Sequence, residues 1–211
     1  MNALKEAHYP CPACGSTLYG WTAAHNPLDR GHKIVLDRCE NCGLAVTRAA
    51  DPPDAAAEID ALLERRPDGT ASMTAPNRQS LQGGIGGAQW AGLEPEIRRL
   101  HLNPRAVELL LAKRGLEVTK ASTPFTREGR HGMVQTVINA FTYRDNFLRN
   151  ARAGRFDPQT GRDRALYWLD WVVSVLVFVP AVVFGVPLEA AGAAMGRSGV
   201  MVVEARPKPG T

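Results

Sequence analysis

CPACGSTLYGWTAAHNPLDRGHKIVLDRCENCG, residues 11–43, opens and closes on a Cys-x-x-Cys pair, and its four cysteines, Cys11, Cys14, Cys39 and Cys42, are all that the chain has. A two-residue gap lets both thiolates of a pair reach one ion, and two such pairs complete a tetrahedral four-sulfur site. Gly15 and Gly43 follow the pairs, where the tight turn after the second ligand favours the positive φ that glycine adopts at least cost. Between the pairs, Leu18 to Trp21 and Lys33 to Asp37 read as short strands of a ribbon. With cysteine in every position the site has no open coordination place, so the expected ion is zinc in a structural role. Two disulfides are the alternative. The polar start Met1 to Tyr9 shows no apolar leader pattern, which points to a cytoplasmic, reducing setting and against them. A redox role for one pair would call for a thioredoxin-like βαβ context that this ribbon pattern lacks. His8, His25 and His32 are then spare and read as exposed loop residues.

Around this ribbon the chain has 211 residues, 45% apolar content, 22% charged residues and a net charge of +4. That is enough apolar material for a core and too little positive charge for a protein that coats DNA, so nucleic acid is not supported as a partner. Pro52 and Pro53 place a boundary near Asp51. The run Ala55 to Arg66 reads as a helix stopped by Pro67, and Asp68-Gly69 as a turn into a strand from Thr70 to Ala75. Gly83, Gly84, Gly86 and Gly87 have the look of a phosphate cradle, but no Lys-Ser/Thr follows and no helix clearly opens there, so a mobile surface loop is expected. The plainest helix is NPRAVELLLAKRG, with Asn103 as N-cap, Pro104 in the first turn and Gly115 at the stop. Leu116 to Thr123 and Gly199 to Ala205 read as the later strands.

Residues 65–118, RRPDGTASMTAPNRQSLQGGIGGAQWAGLEPEIRRLHLNPRAVELLLAKRGLEV, resemble the C-terminal half of a class I S-adenosylmethionine-dependent methyltransferase. The resemblance rests on Pro67-Asp68-Gly69 before a fifth strand, Pro76-Asn77 at its end, the loop Arg99-Leu100-His101-Leu102, and Gly115-Leu116 before a sixth strand. Gly199 to Arg206 would be the antiparallel seventh, lying between the other two. The resemblance implies His101 as the candidate catalytic residue. Only about a dozen residues separate the ribbon from the helix before strand five, too few for the family's cofactor-binding half. S-adenosylmethionine is therefore not expected to bind the isolated chain. Without its neighbour, Thr70 to Ala75 becomes a sheet edge, which invites a cover. The candidates are the ribbon strand, a second copy in a homo-oligomer, or a chain carrying the complementary methyltransferase half; a second chain is preferred.

The long stretch before the last strand has two parts. From Phe125 to Arg164, eight arginines (Arg127, Arg130, Arg144, Arg149, Arg152, Arg155, Arg162 and Arg164) face four carboxylates, with Phe141, Tyr143 and Phe147 interleaved. Then WVVSVLVFVPAVVFGVPL, Trp171 to Leu188, runs for eighteen residues without a charge between Asp170 and Glu189. Arginines beside an apolar, Trp-rich segment are the two signals that hold a protein on an anionic membrane surface. The expected contacts are Trp168, Trp171, Val175, Phe178, Phe184, Arg162 and Arg164. Pro180, Gly185 and Pro187 argue for a shallow hairpin or an interfacial helix; a buried core or oligomer helix and a true span are the other readings. The same surface could instead hold a lipid-linked or sugar-phosphate acceptor.

The expected fold class is α+β: a four-cysteine zinc ribbon (1–50), a truncated Rossmann-like methyltransferase half-domain (51–124), a basic and hydrophobic helical insertion (125–198), and a last strand with its tail (199–211). The expected role is that of a catalytically degenerate, zinc-binding accessory protein, peripheral on the inner face of the membrane. The enzyme alternative is a methyltransferase active only with a cofactor half from another chain.

Overall fold

A computed structural model describes residues 9–28 and 32–209. His8 and the start of the chain lie outside the described residues. In chain order the elements are β1 (Leu18–His25), β2 (Lys33–Cys39), β3 (Ala45–Thr47), α1 (Ala55–Leu62), β4 (Leu63–Arg65), β5 (Ala71–Pro76), α2 (Leu81–Gly86), β6 (Leu100–His101), α3 (Pro104–Ala112), β7 (Leu116–Ser122), α4 (Arg127–Asn139), α5 (Phe147–Arg152), α6 (Gly161–Ala194) and β8 (Val200–Pro207). The fold is mixed α and β, as its class was expected to be. His25 closes strand β1, so it is not a loop residue.

Among the described residues two four-stranded sheets form, ordered β1-β2-β3-β6 and β4-β5-β8-β7, and every pairing is antiparallel. In the second sheet Ala71, Met73, Ala75, Met201, Val203 and Ala205 point to the buried side, while Thr74, Thr119 and Glu204 are exposed on the strands between them. One face of this sheet is thus packed and the other meets solvent, the alternation of a two-layer arrangement. β8 lies between β5 and β7, in the place expected for the C-terminal strand.

The ribbon does not stand apart as a unit. Its sheet takes a fourth strand from β6, where Ala45 pairs with His101. One continuous core joins Cys11, Leu18, Leu44 and Val46 of the ribbon to Val107 and Leu111 of α3 and Met73, Met201 and Val203 of the second sheet. Asn103 explains the close fit. Its side-chain oxygen accepts from Ala106 N at 2.9 Å, capping α3, while its Nδ2 donates to the Cys42 carbonyl at 3.1 Å. At the other end of α3, Lys113 Nζ donates to the Pro12 carbonyl at 2.7 Å.

Four expectations need correction. The helix from Ala55 ends at Leu62 rather than Arg66, because Leu63–Arg65 turns extended and pairs with β5 (Leu63 opposite Met73). That strand covers the edge of β5 from within the chain. The glycine-rich segment is not a mobile loop: Ser80 accepts from Gly83 N at 2.9 Å and caps α2. Gly86 lets it approach α4, since a Cβ there would sit 2.6 Å from Thr136 Cγ2. Phe147 is not a surface aromatic but fully buried, 5.4 Å from the Phe156 ring and 5.8 Å from Trp171. Lastly, α6 runs through Pro180 and Pro187 without a break, which excludes the hairpin. Each proline removes one helical hydrogen bond, but both stand on the exposed side while the opposite side is held against α4.

Candidate metal centre and an apolar helix face

The two knuckles are built alike. Cys11 N donates to Ser16 O at 2.8 Å and Gly15 N to Cys11 O at 2.8 Å; Cys39 N donates to Leu44 O at 2.8 Å and Gly43 N to Cys39 O at 2.9 Å. Gly15 and Gly43 take φ of +78° and +74°, the left-handed conformation that fixed them as glycine. These turns bring the four sulfurs within 4.8 Å of one another, with Cys11–Cys42 at 3.6 Å and Cys14–Cys39 at 3.4 Å. A tetrahedral ion with sulfur ligands at about 2.3 Å needs sulfurs about 3.8 Å apart, so the cluster is arranged to bind one metal ion.

Electrostatics supports a cation at the centre. Burial pushes the Cys11 thiol up to about 11 and raises Cys42 as well, because a buried thiolate loses its hydration. At Cys14, the least buried of the four, burial acts the same way but hydrogen bonds to Ser16 outweigh it and bring the thiol down to about 6. Without an ion the buried Cys11 and Cys42 stay protonated, and all four sulfurs can be thiolates together only around a cation. His25 and His32 contribute no ligand atom to the cluster.

His101 stands elsewhere, in β6, only 3% exposed, with Nε2 2.9 Å from Thr47 Oγ1. Burial, helped by the charges of Arg78 and Arg98, lowers its pKa to about 3, so the ring is neutral at ordinary pH. It borders an internal void of about 20 Å³ shared with Glu58, Trp90 and Arg98, large enough for about one water molecule. The geometry is that of a hydrogen-bonded residue in the seam between ribbon and core.

The second feature is α6. Trp168, Val175, Phe178 and Phe184 are all exposed, the last at 66%, and Arg162 and Arg164 are exposed in its first turns. Trp171 instead packs edge-on against Phe147. Asp170 and Glu189, which the sequence offers only as the ends of an apolar run, are fully buried and fix the helix at two points. Asp170 accepts from Tyr143 N and forms an ion pair with Arg144 at 3.1 Å. Glu189 accepts from Gln82 Nε2, Ser198 Oγ and Gly199 N at 2.9, 2.7 and 2.9 Å. Gln82 is held in turn by Trp90 Nε1 at 3.0 Å. Nothing in the sequence marks Gln82 or Ser198 as partners of Glu189, since they are brought together only by the fold.

Comparison of the chain with family models, with curated proteins and with solved structures finds no match.

Proposed function

We propose that the chain is a zinc-stabilised binding protein that rests on the cytoplasmic face of a membrane through α6. The carrying observation is that every exposed residue of α6 between Asp170 and Glu189 is apolar, including Val172, Leu176, Val179, Val183, Phe184 and Leu188. At about 1.5 Å per residue this face is about 28 Å long. A soluble helix would put polar side chains there. Both acids turn inward to the protein, and α6 is packed along α4, α2 and α5, an arrangement that suits a helix lying in the interface more than one crossing alone. Arg162, Arg164 and Trp168 near its start are the residue types that settle at headgroup level.

In this reading the four cysteines hold a structural zinc ion that fastens the ribbon to α3. The methyltransferase resemblance is kept as a scaffold without cofactor chemistry, and β8 between β5 and β7 supports that view. The enzyme alternative loses ground because β4 already covers the edge where a complementary half would join.

Flotation of the purified chain with phosphatidylcholine vesicles, and with vesicles containing phosphatidylglycerol, tests the proposal. Binding to both, stronger to the second, is expected. A dimer in light scattering that ignores vesicles would mean that a second copy covers α6 and would overturn it. Metal analysis of never-chelated protein is expected to give one zinc per chain.

A further inference from the structure

We infer that the cleft between α4, α5 and α6 binds one anionic glycerophospholipid drawn from the bilayer; the inference rests on the membrane reading above and gives it a ligand. The cleft has a volume of about 760 Å³, within the range of sites that enclose small ligands. One part of its wall is apolar: Val134 and Ile138 of α4, Leu148 of α5, and Phe178, Val182 and Val186 of α6. Another part is basic, with Arg127, Arg130 and His131 from the start of α4 and Arg149 and Arg152 from α5.

The charges in this wall are not balanced from within. Its carboxylates are Glu94 and Glu128. Glu94 is already engaged, by Arg98 at 3.1 Å and by Arg149. Arg127, Arg130 and Arg152 make no ion pair among the described residues, and Arg130 lies over the Phe125 ring at 5.4 Å. Guanidinium groups left in this state match a phosphate, which accepts their planar donors in pairs. A free phosphate has no use for the apolar wall, and a neutral hydrocarbon has none for the arginines. A phospholipid uses both.

Position supplies the source of the ligand. Phe178 and Val182 belong to the cleft and also to the exposed face of α6, so the apolar part opens onto the surface that meets the bilayer. An acyl chain can leave the membrane along these two residues without crossing water, while its phosphate reaches the arginines.

The test titrates the full chain calorimetrically with dihexanoyl-phosphatidylglycerol below its micelle concentration, with dihexanoyl-phosphatidylcholine and inorganic phosphate as separate arms. Saturable 1:1 binding of the anionic lipid is expected, about tenfold tighter than either comparison ligand. The double variant Arg130→Gln/Arg152→Gln should lose about thirty-fold, from two basic contacts, and Arg105→Gln on α3 should lose nothing. Equal binding of the choline lipid, equally tight inorganic phosphate, or no saturable binding each overturns the inference. Wild-type flotation with phosphatidylcholine vesicles separates the two readings: if it persists while saturable binding is missing, the lipid cleft fails and the membrane contact stands. If it is lost, the membrane contact itself fails.

Discussion

Replacing Leu176 and Phe184 together by serine removes two of the largest side chains from the outer face of α6, where they are 71% and 66% exposed. Fully burying a leucine or phenylalanine stabilises by about 1.5–3 kcal/mol. With about two-thirds of each available to the lipid, the pair contributes roughly 2–4 kcal/mol to membrane binding. Since about 1.4 kcal/mol is a factor of ten, the lipid concentration for half-binding to phosphatidylcholine vesicles should rise roughly 30-fold to 1,000-fold. The folded state should barely notice, because neither residue fills the core; the urea midpoint should reflect a change under about 1 kcal/mol, mostly serine's weaker helix propensity. Ile97→Ser, equally apolar and 55% exposed but remote in sequence from α6, is the control. Unchanged partitioning of the double variant, or an equal loss in Ile97→Ser, would refute the assignment of the membrane contact to this face.

Asn103→Ala removes the α3 cap and the bond to Cys42 at once, and should cost about 2–3 kcal/mol in denaturant unfolding while speeding metal loss to a chelator. Asp170→Ala leaves Arg144, only 11% exposed, without its partner; a loss of about 3–5 kcal/mol is expected, with Asp170→Asn milder because it keeps the acceptor for Tyr143 N. His101 sets a pH dependence: its folded pKa of about 3 lies below the unfolded value. Unfolding therefore takes up a proton, so the full contribution is present above about pH 6.5 and is lost as pH falls through the window down to about 3. Between pH 7 and 5, at constant metal content, about 2 kcal/mol should disappear in the wild type and not in His101→Gln.

The parts legible in the sequence are those whose chemistry is local. The cysteine pairs announce their turns because ligand spacing and the glycine after it are set within five residues. Asn103, Pro104 and Gly115 bracket α3 for the same reason, and β5, β7 and β8 stand out as β-prone runs. What was hidden depends on partners far along the chain. Leu63-Glu64-Arg65 continues a helical pattern and becomes β4 only because β5 offers an open edge. Gly83 and Gly86 look like a loop until the Arg78–Ser80 turn closes on the first and α4 packs on the second. The two-residue strand β6 is too short to show any period, so His101 reads as a loop residue and not as part of the ribbon sheet.

Hydropathy could delimit the run from Trp171 to Leu188, but not say which way each residue faces, and the faces carry the argument. The fully buried positions of α6 are Ser174, Ala181, Gly185 and Gly192 together with the two tethering acids, and the half-buried Tyr167, Trp171, Val177 and Val186 pack beside them. A Cβ at Gly185 would lie in ordinary contact, 3.4 Å from the Val134 backbone, so α4 runs close along this face. The large side chains, Leu176, Val179, Val183 and Phe184, face out. In water this is the reverse of how an amphipathic helix is stabilised, because the greatest apolar area is left exposed. Small residues at the closest helix–helix contacts and large apolar side chains left outside are features of helices in lipid, where close backbone approach binds helices together and apolar side chains have no need to hide. The inward acids fit the same logic: each sits at the end of the apolar face, is buried, and is satisfied by protein donors, so none is offered to the hydrocarbon. A helix needed only as core would not leave so many large apolar side chains exposed, and that outer face is the strongest reason to look for α6 at a bilayer.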